Sequence, residues 1–196
     1  KKALICVDSF HLIKHLNESL QKVRIRVLRS YDTDSIQYYL LKKWKCLLFD
    51  RTIDLDNKGK YNKRLGRYVN YRQLLELILA IHPDLKKAYD LKERYTIFNA
   101  TSSYDEARSN FDDIYRSFVN AHIPEYCEFI TSLSNWRDEI INSFIVYRGK
   151  RINSSVAESM NAIVSTLLFN TKGIKNVERR RKRIIYAVNK TGFLIK

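Results

Sequence analysis

Glycine and proline are scarce in this 196-residue chain, five and two respectively, so it lacks turn punctuation and is expected to run in long helices. Cysteine is scarce as well. Cys6, Cys46 and Cys127 are odd in number, far apart and form no Cys-x-x-Cys pair, which fits a reducing cytoplasm and excludes a cysteine zinc site. No apolar run approaches the roughly eighteen residues of a membrane span, and the chain does not open on a signal peptide. The chain begins Lys-Lys-Ala and its single methionine is Met160, so it is read as a piece of a longer translated product. Acidic residues are also in deficit: 36 Lys and Arg face 21 Asp and Glu, for a net charge of +15. That excess is larger than solubility requires and points to a polyanionic partner, of which nucleic acid is the commonest. The length suits one domain, or one domain carrying a large insertion.

The run Ala3–Val7 is short, apolar and rich in strand formers; it reads as a buried strand with Asp8 at its carboxyl end. From Ser9 to Arg29 the period becomes helical. Leu12, Leu16, Leu20, Val23 and Val27 share one face, and Lys14, Lys22, Arg26 and Arg29 fall roughly opposite. A second helix is expected over Asp34–Leu48, with Ile36, Leu40, Trp44, Leu47 and Leu48 inward. Asp50–Val69 reads as a polar, mostly basic loop containing Gly59 and Gly66. Its Asp54-Leu-Asp56-Asn-Lys58-Gly59 fails as a calcium loop, because Lys58 takes a ligand position and Leu65 stands where the bidentate Glu belongs. Asn70 is a candidate N-cap for a helix over Tyr71–Ile81, and Pro83 starts the next, whose apolar positions include Leu85, Ala88, Tyr89 and Leu91. Further helices are expected over Tyr104–Val119, Pro124–Asn142, Val156–Phe169 and Asn176–Asn189, and Phe144–Tyr147 has strand composition. Trp44 and Trp136 fall on apolar stripes and read as core residues.

Asp8 at a strand end and Glu158 near a helix start are the pair that could carry chemistry. Nucleases and polynucleotidyl transferases hold two divalent ions about 3.5–4 Å apart with carboxylates, because hard Mg2+ prefers oxygen. Each residue also has a structural reading. Asp8 could cap the helix that follows it. Ser155-Val-Ala-Glu158 fits a capping box, in which Glu158 would be held by a backbone amide; with Ser154 as the cap, Glu158 moves deeper into the helix and is available. His11 and His15, one helical turn apart, have no third nitrogen or sulfur ligand nearby for zinc, but His11 is close enough in sequence to orient Asp8. The segment Lys172–Arg183 carries seven Lys or Arg against one Glu, above an inward stripe of Val177, Ile184 and Val188. Phosphate contact by this segment is the expectation, and base-specific readout is not.

Several ordered segments resemble the ISL-three family of bacterial insertion-sequence transposases, within the DDE, RNase H-like superfamily. They are Val7-Asp8-Ser-Phe10-His11, Lys14-His-Leu-Asn17, Arg24-Ile-Arg26, Lys63 to Glu76, and Leu91-Lys-Glu-Arg94. Trp136 to Phe144, Ser154-Ser-Val-Ala-Glu158 and Gly173 to Tyr186 complete the set. The resemblance implies that Asp8 and Glu158 are the second and third acidic residues of a catalytic triad whose first Asp lies on an earlier strand. The chain would then be the carboxyl-terminal part of the enzyme, inactive alone. The implied fold is mostly α: a partial RNase H-like α/β core, without its first strands, interrupted by an all-helical insertion. Residues 1–30 would open the core, 31–142 form the insertion, and 143–196 close it. Mg2+ or Mn2+ is the implied cofactor, with no nucleotide. The implied partner is double-stranded DNA at transposon ends and target, in a bacterial cytoplasm; separately, an exposed edge on the Ala3–Val7 strand would allow pairing with a second copy of the chain as a homodimer. The residues expected on DNA are Lys14, Lys22, Arg26, Lys172, Lys175, Arg179, Lys182 and Arg183, with His11 and Asn161 as supporting groups. After Glu158 the family shows Asn-Asn-Lys-Ile-Lys, whereas this chain has Asn161-Ala-Ile-Val-Ser165 and loses two cations. The competing class is a non-catalytic helical nucleic-acid-binding or regulatory protein, in which both carboxylates are only caps.

Overall fold

A computed structural model describes residues 4–147, 149–151, 155–170 and 176–190, and for residues 147, 150, 155–160 and 188–190 the backbone alone. The chain divides into two compact units, residues 1–152 and 153–196. The first helix, α1 (Ser9–Leu28), follows the expected periodicity: Leu12, Leu16, Leu20, Val23 and Val27 are all buried. Its twenty residues give a rod about 30 Å long. Against it pack α4 (Pro83–Thr101), α2 (Ile36–Lys43), α6 (Cys127–Asn135) and the 3-10 turn Pro124–Tyr126. The helix expected to open a separate core is thus packed among the helices of 31–142.

Local chemistry sets the other boundaries. Ser35 caps α2, and Asn70 and Gln73 form a reciprocal capping box at the start of α3 (Tyr71–Leu79). Pro83 occupies the first turn of α4, where its missing N–H costs nothing. Ser103 and Glu106 form a second capping box on α5 (Tyr104–Ala121), which ends where His122 turns left-handed at φ 54°. The 124–142 stretch, expected as one helix, is three pieces. The 3-10 turn leads into α6, and Trp136 at φ −113° and ψ 26° breaks the run before α7 (Arg137–Asn142). Trp136 is exposed at this break, not in the core. Asp34–Leu48 likewise divides into α2 and the 3-10 turn Lys45–Leu48, and Ile36, at the first turn of α2, is exposed.

The centre of the first unit is aromatic. Phe129 meets Tyr95, Phe118 and Tyr126 at ring-centroid distances of 5.4, 5.1 and 6.4 Å, and His15 packs edge-on against it at 5.8 Å. Such rings bury large areas and prefer tilted contacts, so a few of them can lock several helices together. The Tyr126 hydroxyl donates to the Ala88 carbonyl at 2.7 Å, satisfying its one buried polar group. Arg151 closes the unit: its guanidinium lies 4.0 Å from the Phe144 ring centroid and donates to the Asn99 and Ser143 carbonyls.

Strand structure is sparse. The described residues form two antiparallel hairpins, β1 (Lys60–Asn62) with β2 (Arg67–Val69), and β3 (Val146–Tyr147) with β4 (Lys150–Arg151). The first lies inside the segment read as a loop; Gly66, at φ 64°, makes its turn possible. Residues 4–8 form no strand. They run extended along α7, with the Val7 amide donating to the Glu139 carbonyl at 3.0 Å and the Asn142 amide to the Ile5 carbonyl at 3.1 Å. Leu4 and Ile5 are exposed, so the buried-strand expectation is corrected: a strand buries its faces only beside neighbours, and none flanks this segment among the described residues.

In the second unit α8 (Ser155–Asn170) and α9 (Val177–Lys190) contact each other. Asn176 caps α9, accepting from the Arg179 amide at 3.1 Å. Val177, expected on an inward stripe, is 72% exposed: as the first helical residue it lies at the end of the packed surface.

Candidate metal centre and basic surfaces

Asp8 stands at the junction between the extended segment and α1. Its Oδ1 accepts from the Phe10 amide at 2.8 Å, so the capping role is realised. His11 is exposed and meets Phe10 edge-on at 5.7 Å, whereas His15 is turned to the aromatic core. Lys14 is exposed along a shallow cleft of about 540 Å³ that also includes Phe10, Ile13, Lys45, Cys46 and Phe49.

Glu158 lies on α8, but its side chain, like Ser154, is outside the described residues, so the choice between capping box and available carboxylate is outside them too. Asn161, one turn further, is exposed. Asp8 and Glu158 belong to different units, and each is described within its own. In kind, the donors fit a divalent ion: two carboxylates offer hard oxygens, which suit Mg2+ or Mn2+. Among the described residues no group of three or more His, Cys, Asp or Glu could hold a metal.

The basic residues fall into distinct settings. On α1, Lys22 donates to Glu128 at 2.7 Å, and Arg26 pairs with Glu125 at 2.5 Å and Asp84 at 3.0 Å. The hydrogen bond from Lys22 holds the Glu128 carboxyl below its ordinary pKa, and Glu128 in turn raises Lys22. Two of the three cations expected on DNA from this helix are therefore engaged by acids from elsewhere in the fold. On α9, Arg179, Lys182 and Arg183 are exposed, while Arg181 lies 3.8 Å from Glu178; Lys172 and Lys175 are outside the described residues.

A third basic surface lies in the segment read from the sequence only as a mostly basic loop. Between Lys58 and Arg67 there are five Lys or Arg and no acid, and β1–β2 presents them on a hairpin. The signal was present in Gly59, Gly66 and that unbroken charge, but a three-residue strand is too short for periodicity to reveal. Lys58, Lys60, Lys63, Arg64 and Arg67 are exposed and form no ion pair among the described residues. Tyr61 and Tyr68 face each other across the ladder, ring centroids 5.4 Å apart, and are 56% and 73% exposed. Beneath the hairpin is a cleft of about 450 Å³ bordered by Tyr39, Lys43, Trp44, Arg64 and Tyr71. Arg64 sits 5.1 Å from the Tyr39 ring centroid, and Lys43 lies 5.4 and 5.5 Å from those of Tyr39 and Trp44. The Tyr39 hydroxyl donates to Asn62 Oδ1 at 3.4 Å, tying the cleft to the hairpin.

No helix among the described residues is long and apolar enough to cross a membrane. No curated protein and no solved structure matches the chain. A family model described as a transposase, of the DDE type found in ISL3 elements, matches residues 1–184. That span includes Asp8, the helices between, Glu158 and the basic run of α9, and the chain belongs to the ISL3 family of DDE transposases.

Proposed function

We propose that this chain contributes Asp8 and Glu158 to the active site of a DDE transposase that cuts and joins DNA at insertion-sequence ends. The observation that carries the reading is the family match over residues 1–184, which spans both carboxylates in the expected order. The remaining carboxylate of the triad is assigned to an earlier strand, as the family pattern implies. In this reading 1–30 and 143–196 belong to an RNase H-like core and 31–142 is an insertion, against which α1 packs through its buried face.

The chemistry is phosphoryl transfer. Bound Mg2+ or Mn2+ would activate the attacking oxygen and stabilise the leaving one. Asp8 and Glu158 would hold the ions, and the Asp8 cap fixes its carboxylate at the head of a rigid helix. Lys14, Arg179, Lys182 and Arg183, with Lys172 and Lys175, would grip phosphates, and His11 and Asn161 would orient the carboxylates or a phosphate. Lys22 and Arg26 can join only by exchanging their carboxylate partners for DNA. The substrates are double-stranded transposon ends and target DNA.

The capping bond of Asp8 favours a second reading, in which the residue is structural and the protein only binds nucleic acid. One substitution separates the two. Asn caps a helix about as well as Asp, so Asp8→Asn preserves the cap while removing the charge a metal requires. In the full reading frame containing these residues, assayed on its own transposon ends with Mg2+, Asp8→Asn and Glu158→Gln are expected to abolish cleavage and retain DNA binding. Cleavage surviving in Asp8→Asn would leave the capping role alone.

A further inference from the structure

We propose that the β1–β2 hairpin and the cleft beneath it form a separate nucleic-acid site, which holds the phosphates of a DNA strand and stacks an unpaired base. The site is independent of Asp8 and Glu158. Three observations converge on it.

The first is charge. Lys58, Lys60, Lys63, Arg64 and Arg67 lie within ten residues without an acid, and none has an ion-pair partner among the described residues. Lys43, exposed at the end of α2, lines the same cleft. A patch of this kind repels itself unless a polyanion lies across it, and a phosphate backbone supplies charges at the required spacing. The second is the exposed rings. Tyr61 and Tyr68 are more than half exposed on a ribbon that needs only one of its faces for packing, since Asn62 and Val69 supply the buried positions. By register the two rings share one face of the ribbon and Lys60 and Arg67 the other, so a strand passing over its edge meets both, and exposed rings next to cations are what single-strand binders use as platforms for bases. The third is the cleft, where Tyr39, Trp44 and Tyr71 form an aromatic wall with Lys43 and Arg64 against it.

The unpaired state of the base follows from the same geometry. In a duplex both faces of a base are already stacked, and a ring can add nothing there without unstacking it. A strand with free bases can lay its phosphates along Lys60, Lys63, Arg64 and Arg67 and place bases against Tyr61, Tyr68 or the cleft. Flanks melted or left single-stranded next to a cut are the DNA that meets this description.

The test is binding of the full 196-residue chain to three labelled probes: a single-stranded oligonucleotide, the matching duplex, and that duplex with a single-stranded flank. Tyr61→Ala with Tyr68→Ala is expected to weaken binding to the first and third by about tenfold and to leave the duplex unchanged. Tyr61→Phe with Tyr68→Phe keeps the rings and is expected to bind as the unmodified chain does, which separates stacking from hairpin stability. Equal loss on all three probes, or no loss on any, overturns the proposal. Trp44 gives a second measurement that needs no hairpin variant. With Trp136→Phe it is the sole remaining tryptophan of two, and its emission is expected to change on adding the single strand but not the duplex; an unchanged emission with the single strand also overturns the proposal. Asp8→Asn must leave all of these values unchanged, so a failed cleavage assay and a failed hairpin are read apart.

Discussion

The outer face of α1 and the β1–β2 hairpin are both rows of cations, and they differ in what stands opposite. Across from Lys22 and Arg26 the fold places Glu128, Glu125 and Asp84. Lys60, Lys63, Arg64 and Arg67 form no ion pair among the described residues. Exposed ion pairs stabilise a protein little, but they do neutralise charge that a phosphate would otherwise meet. Net charge therefore overstates the unneutralised positive charge on one surface and understates it on the other. The two regions also differ in what they bury. α1 carries five core residues, whereas each hairpin strand buries only one.

That contrast can be broken most forcefully from the inside. Leu16 and Leu20 are fully buried, and truncating either to Ala is expected to cost about 2–5 kcal/mol. Tyr68→Ala on the hairpin is expected to change stability by no more than about 0.5 kcal/mol. Chemical denaturation of the three variants checks both halves, and a hairpin variant as costly as a core one would erase the distinction.

Charge comes next. Changing Lys60, Lys63, Arg64 and Arg67 together to Gln is expected to flatten the dependence of log affinity on log salt by about 0.7–0.9 per cation. The same change at Lys22 and Arg26 is expected to leave that slope nearly unaltered. The converse experiment sharpens the point: Glu125→Gln and Glu128→Gln together with Asp84→Asn free the α1 cations and are expected to steepen the slope and tighten duplex binding. Removing a carboxylate with no gain in binding would show that this face does not meet DNA.

Titration gives smaller effects. Burial raises the Tyr95 and Tyr126 hydroxyls well above the ordinary tyrosine range. A raised folded-state pKa contributes stability that is fully present below the unfolded value, near pH 10, and is lost as pH rises through the folded one. Melting temperature is therefore expected to fall above about pH 10, less steeply in Tyr126→Phe. On the acid side, Lys22 depresses Glu128 and Arg137 depresses Asp112, so their contributions are present above the unfolded carboxylate pKa and lost as pH falls through the depressed one. Both carboxylates are solvent-exposed, and the acid effect is expected to be the smallest, seen as a slight loss of melting temperature below about pH 4.

How much was legible depended on range. The inner stripe of α1, the Asn70 capping box and Pro83 at a helix start were readable because each is a rule within a few residues. The split at Trp136 was not, because the apolar spacing runs on through a residue whose backbone leaves the helix there. Leu4 and Ile5 look like a buried strand by composition, but strands are completed by neighbours and composition does not provide them. The site divides in the same way. Asp8 and Glu158 are candidates by pattern and resemblance, and the capping bond of Asp8 was one of two readings left open. The hairpin was missed because its strands are three residues each, below the length at which alternation is visible.

Sequence alone determined the helical character, the excess of positive charge, the local caps and the family resemblance, because each depends on residue type and short spacing. Only the tertiary structure decided which cations are neutralised. Glu128 is 106 residues from Lys22 and Glu125 is 99 from Arg26. Electrostatic pairing depends on distance through space, and it took the packing of α1 against α4, α6 and the 124–126 turn to bring those charges together.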